Sequence, residues 1–144
     1  MKPALPLTAY RDLSAFKIYH NDTGLLAAMS NLNTRTLLFG DTVFTEFKGA
    51  LAEQFVFQQL LINEKLSIHY YQVNNRLEID FVIQNEEDEI IPIETKSGNN
   101  QQAKSLKAYC DTYQPKTAIR TSLANYHKES WMINVPLYTI GNYF

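Results

Sequence analysis

A single cysteine, Cys110, stands among 144 residues. No internal disulfide can form, so a reducing, cytoplasmic setting is the expectation. No apolar run approaches the roughly 20 residues that span a bilayer, and residues 1–6 lack the layout of a secretory leader. No membrane partner is therefore expected. The five glycines, at 24, 40, 49, 98 and 141, cannot form a Gly-x4-Gly-Lys phosphate loop, so no ATPase motif is present. Positive charge is not in excess either: a net charge of -2 argues against a generic basic nucleic-acid binder. No internal repeat, low-complexity tract or linker is visible.

What is present suits a packed domain, with 45% hydrophobic residues, nine Tyr and eight Phe. Asp12 or Ser14 is placed to cap a short element over residues 15–19. Asp22 precedes a helix-forming run from Leu25 to Met29 and reads as its N-cap. The tripeptide Asp22, Thr23, Gly24 also matches the aspartic-protease signature. That signature needs an apolar strand before the Asp, whereas His20 and Asn21 are polar, so the cap is the better reading.

Residues 46–64 read as the main helix. At 100° per residue, Gly49, Ala50, Val56, Phe57, Leu60 and Leu61 share a face with Glu53 at its centre. An acid on an apolar face is costly unless partnered; a backbone amide or Arg76 would serve, as would a metal. Residues 67–73 alternate as a strand and Asn74, Asn75 form a turn. Strands 77–83 and 90–96 follow, then a break at Gly98, Asn99 and Asn100. A helix over 102–113 ends before Pro115, and residues 117–122 read as a buried strand. Residues 131–133 and 137–140 read as short closing strands.

Chemistry concentrates in the 77–96 hairpin. Centring its turn on Glu87 places Gln84 opposite Ile90 and Asp80 opposite Glu94. Like charges facing each other weaken an antiparallel ladder, so the pair points to a bound cation. Strict alternation puts Ile79, Phe81 and Ile83 on the core face, and Asp80, Glu94 and Lys96 together on the other. If the main helix packs on that second face, Glu53 reaches them. Three carboxylates suit Mg²⁺ or Mn²⁺, with the Thr95 carbonyl as a further oxygen and substrate phosphate completing the shell. Lys96 would then orient or deprotonate a water, or hold a phosphate. The plainer alternative is a cross-strand pair of Lys96 with Glu78. Residues 78–94 hold seven acids and no base, whereas residues 96–120 hold five bases and one acid. Of those bases, Lys104, Lys107, Lys116 and Arg120 are the candidate nucleic-acid contacts; a merely solvated helix is the alternative.

Glu53, then Glu78-Ile79-Asp80, then Glu94-Thr95-Lys96 resembles the PD-(D/E)XK nuclease superfamily. The resemblance implies a restriction-endonuclease-like α/β (α+β) core of helix, three strands, helix and strand. It also implies Asp80 and Glu94 as metal ligands, Lys96 as the catalytic lysine and Glu53 as an assisting helical carboxylate. Further blocks, among them Leu5-Pro6-Leu7-Thr8-Ala9-Tyr10, Gly49-Ala50-Leu51-Ala52-Glu53 and Ile93-Glu94-Thr95-Lys96-Ser97-Gly98, resemble the C-terminal domain of unknown function 4143 of bacterial and archaeal AAA-type ATPases. This second resemblance implies an ATPase module upstream in a longer chain. Residues 1–45 would be a short helical connector to it, and residues 46–144 the nuclease-like domain. Two departures stand out: Ile79 replaces the leading proline, and Ser105 stands four residues before Tyr109 where related nucleases carry Gln. The expected function is a Mg²⁺-dependent DNA endonuclease or exonuclease. A non-catalytic module binding nucleic acid or protein for the ATPase, or a purely structural domain, remains the alternative.

Overall fold

The computed structural model describes residues 3–31, 45–73, 77–98 and 102–144. A 3-10 turn at Leu7–Tyr10 and a short helix, α1 (Thr23–Met29), precede the long helix α2 (Thr45–Leu61). Strands β1 (Ser67–Val73), β2 (Leu77–Gln84) and β3 (Ile90–Thr95) follow, then helix α3 (Lys104–Tyr113). Strands β4 (Ile119–Ser122), β5 (His127–Lys128) and β6 (Ile133–Pro136) lead to a closing 3-10 helix at Leu137–Asn142. The result is a mixed α+β fold around a six-stranded sheet of order β1-β2-β3-β4-β6-β5. Its first three strands form an antiparallel meander, β4 and β6 add in parallel, and β5 runs antiparallel on the edge.

Local chemistry explains the boundaries. The Asp22 side chain accepts a hydrogen bond from the Leu25 amide at 2.7 Å, so the Asp-Thr-Gly tripeptide is a helix cap. Asp12 instead accepts from the amide and hydroxyl of Ser14, and residues 15–19 form no helix. Gln114 ends α3 in the left-handed region at φ 49°, just before Pro115. The β2–β3 turn closes on the Asn85 side chain, which accepts from the amides of Glu87 and Glu89. This sets the expected register, Gln84 against Ile90 and Phe81 against Ile93. The expected strand over 137–140 is the closing 3-10 helix instead, and β5 has no counterpart in the sequence reading. The turn at Asn74 and Asn75, the proposed partner Arg76, and Asn99 and Asn100 lie outside the described residues.

Two apolar layers sandwich the sheet. On one side Val56 and Leu60 of α2 pack on Phe81, Ile83, Ile91 and Ile93. On the other, Leu106 and Tyr109 of α3 pack with Ile79 and Val82. Fully burying a side chain such as Phe81 stabilises by roughly 2–3 kcal/mol. Leu7 belongs to the α3 layer and Tyr19 borders the α2 layer, so the N-terminal segment packs on the domain. The buried stripe of α2 is Ala52, Val56 and Leu60, while Ala50 and Leu61, expected inside, are exposed. Among the described residues no helix is long and apolar enough to cross a membrane.

Strict alternation fails at one place on β2. His69 pairs with Val82 but Tyr71 pairs with Ile79, so Tyr70 alone stands against Asp80 and Phe81. Two residues facing one is a β-bulge. It separates Ile79 from Phe81 and Ile83, which the sequence placed on one face, and seats Ile79 with Val82 in the α3 layer.

Candidate functional site

The bulge falls on Asp80, and bulges re-aim side chains beside functional sites. Asp80 accepts a hydrogen bond from the Thr95 amide at 2.7 Å. Burial pushes its carboxyl up from an ordinary 3.8 to about 6; the Thr95 bond and the Lys17 charge pull down, while Glu53 and Glu94 push up. Asp80 thus lies in the field of both carboxylates that the sequence assigned to it.

Those two carboxylates reach Asp80 from different layers, not from one face as strict alternation implies. Glu94, 5% exposed, accepts from the Lys96 ammonium at 2.6 Å and from the Leu106 amide in the first turn of α3 at 3.1 Å. The amide fixes one carboxylate oxygen and the ammonium engages the other. Lys96 is therefore Glu94's partner, and the pairing with Glu78 is not seen. The Lys96 amide donates to the Thr121 carbonyl at 2.8 Å, which extends the β3–β4 ladder past the last strand residue.

Glu53 projects from α2 and is met by the N-terminal segment. Its Oε1 accepts from the Tyr19 hydroxyl at 2.6 Å and from the Lys17 ammonium at 2.9 Å. Lys17 also pairs with Glu78 at 2.7 Å. Burial lowers the Lys17 pKa, but the bonds to Glu78 and Glu53 and the nearby charges outweigh it, leaving a net rise. Burial and then the bond to Glu53 raise the Tyr19 phenol.

Among the described residues no three His, Cys, Asp or Glu side chains stand as a group able to hold a metal ion. The donor chemistry fits a divalent ion in a narrower form. Asp80 and Glu94 offer hard carboxylate oxygens from adjacent strands, and Thr95, whose amide holds Asp80, has a buried hydroxyl with no partner. Mg²⁺ is commonly held by one or two carboxylates, its waters and substrate phosphate. Glu53, assigned as a third ligand, is engaged by Lys17 and Tyr19.

The basic candidates divide. Lys104, Lys107 and Lys116 are exposed, with Lys107 paired to Asp111 and set over the Trp131 ring. Arg120 is not a surface contact: it is 2% exposed and its Nε donates to Asn134 Oδ1 at 2.9 Å. A four-residue strand buried on both faces carries it inward. The sequence reading missed Lys17, Tyr19 and Thr121, the last being fully buried with an unpartnered hydroxyl. The alternation of Phe16, Lys17, Ile18 and Tyr19 was the available signal for the first two.

No curated protein and no solved structure matches the chain. The profile of one family, Domain of unknown function (DUF4143), matches residues 48–140. That stretch runs from α2 through the closing 3-10 helix and is more than half of the chain, and it includes Glu53, Asp80, Glu94 and Lys96. The chain belongs to the DUF4143 family.

Proposed function

We propose that this chain is a metal-dependent phosphodiesterase domain of the PD-(D/E)XK nuclease-like type, acting on DNA in the service of an AAA-type ATPase. One observation carries the reading: Asp80, held at a bulge by the Thr95 amide, lies in the field of a Glu94 that is bonded to Lys96. The element order from α2 to β4, helix, three strands, helix, strand, supports the same reading. Asp80 and Glu94 would hold Mg²⁺ or Mn²⁺, which when bound acidifies a water and neutralises phosphoryl charge. The Leu106 amide keeps the Glu94 carboxylate oriented. Lys96 Nζ, which pairs with Glu94, would hold a phosphate oxygen or exchange a proton with the attacking water once Glu94 shares its charge with the ion.

The test is Mn²⁺-dependent cleavage of end-labelled single- and double-stranded DNA by wild type and Lys96→Ala. Cleavage that chelator and the substitution both abolish supports the proposal; no cleavage of either substrate with Mg²⁺ or Mn²⁺ refutes it. A second reading has its own observation, since Asp80, Glu94 and Glu53 are each satisfied internally. On that reading the domain binds nucleic acid or protein without catalysis. Metal is then irrelevant, and neutralising Lys104, Lys107 and Lys116 weakens DNA binding more than changing Asp80.

A further inference from the structure

Residues 15–22 lie along α2 without regular structure, held by two glutamines one helical turn apart. Gln54 is 2% exposed; it accepts from the His20 amide at 2.9 Å and donates to the His20 carbonyl at 2.8 Å. Gln58 repeats the pattern, accepting from the Thr23 amide at 3.1 Å and donating to the Asn21 carbonyl at 3.0 Å. The Tyr19 ring stacks on Phe57 with centroids 4.1 Å apart. At the inner end of this strap, the Lys17 ammonium sits between Glu53 and Glu78 and in the field of Asp80.

The other side of the strap is open. Phe16 and Ile18 alternate with Lys17 and Tyr19 and are 71% and 83% exposed. A segment fastened along one edge, with its apolar residues facing solvent, belongs to the part of a fold that opens locally before the core does. Beneath it, a cavity of about 650 Å³ reaches from Arg11 and His69 inward to Asp80, with Lys17 and Tyr19 in its wall. The space beside Asp80 is thus already formed, and a cation of the chain's own, Lys17, lines it.

We propose that this strap is a latch on the site, with Lys17 as resident counter-ion and a divalent ion as its competitor. The proposal rests on the metal-dependent reading and adds its regulation. While Lys17 pairs with Glu53 and Glu78, its ammonium stands beside Asp80; lifting the strap takes that charge away from Asp80 and opens the place to a divalent ion. Coupling between two occupants is reciprocal: whatever factor the latch takes from ion affinity, the ion takes from latch closure.

The experiment measures Mn²⁺ affinity by calorimetry, and chymotrypsin cleavage after Phe16 and Tyr19 with and without Mn²⁺. Wild type, Lys17→Met and Gln54→Ala are compared in the full chain. Gln54→Ala loosens the strap without changing charge and serves if the first variant folds poorly. Expected are Mn²⁺ binding about tenfold tighter in Lys17→Met, a smaller gain in Gln54→Ala, and faster wild-type cleavage once Mn²⁺ is added. Equal Mn²⁺ affinity in all three proteins, with cleavage unchanged by the ion, overturns the latch and leaves the metal reading standing. No Mn²⁺ binding to any of them defeats the metal reading and the latch with it.

Discussion

Replacing Asp80 with Asn should stabilise the metal-free protein at neutral pH, although it removes a candidate functional group. Asp80 is raised from 3.8 to about 6, first by burial and then by Glu53 and Glu94 against the pull of Thr95 and Lys17. The folded state therefore holds its proton more tightly than the unfolded state. Its stabilising influence is complete below about pH 4 and is lost as pH rises through about 6. A shift of about two units corresponds to roughly 3 kcal/mol at 1.36 kcal/mol per unit. Asn keeps an oxygen for the Thr95 amide and carries no charge, so most of that difference returns. Urea unfolding in chelator should show Asp80→Asn more stable than wild type by roughly 2–3 kcal/mol at pH 8, with the gap closing near pH 4. A variant equal to or weaker than wild type at pH 8, or a gap that does not change with pH, refutes this electrostatic account of the site.

Other outcomes follow from buried groups. Thr121→Val should raise stability by about 1 kcal/mol, because it removes a buried hydroxyl without a partner and keeps the shape; a lower urea midpoint would show that the hydroxyl is used in the fold. Asn134→Ala should destabilise by about 3 kcal/mol or more, because Asn134 accepts from Arg120 and Ser122 and donates to the carbonyls of Ala124 and Asn125. A loss below 1 kcal/mol in denaturant unfolding would contradict that network. Cys110 is buried, its thiol pushed up to about 11 by burial and then moderated by Lys107. It should therefore react with iodoacetamide at pH 8 only slowly until denaturant is added, and prompt native labelling would count against the placement of α3.

The hairpin was legible because a turn and an alternating run fix pairing: the side chain of Asn85 closes the loop, and the register follows to Phe81 and Ile93. The bulge was not. Phe81, Val82 and Ile83 are all buried, and a run apolar on both faces carries no mark of where alternation slips. The Glu53 anomaly was visible as an acid on an apolar stripe, but its partners were not. Lys17 and Tyr19 lie more than thirty residues away; the alternation over residues 16–19 marks two sides of that segment but not what either side meets, because long-range side-chain pairs leave no local pattern. Gln54 shows the converse, a polar side chain buried because the backbone of His20 satisfies it. Arg120 was read outward from its charge, although its neighbours Ile119 and Thr121 already described an interior strand.

The central claim is that Asp80 and Glu94 form a site for a divalent cation. Calorimetric titration of Mn²⁺ into the chelator-stripped chain, beside Asp80→Ala at the same pH and salt, tests it most directly. The account predicts a saturable one-to-one binding heat in wild type that is absent from the variant. Identical traces, whether both flat or both saturating, would contradict it.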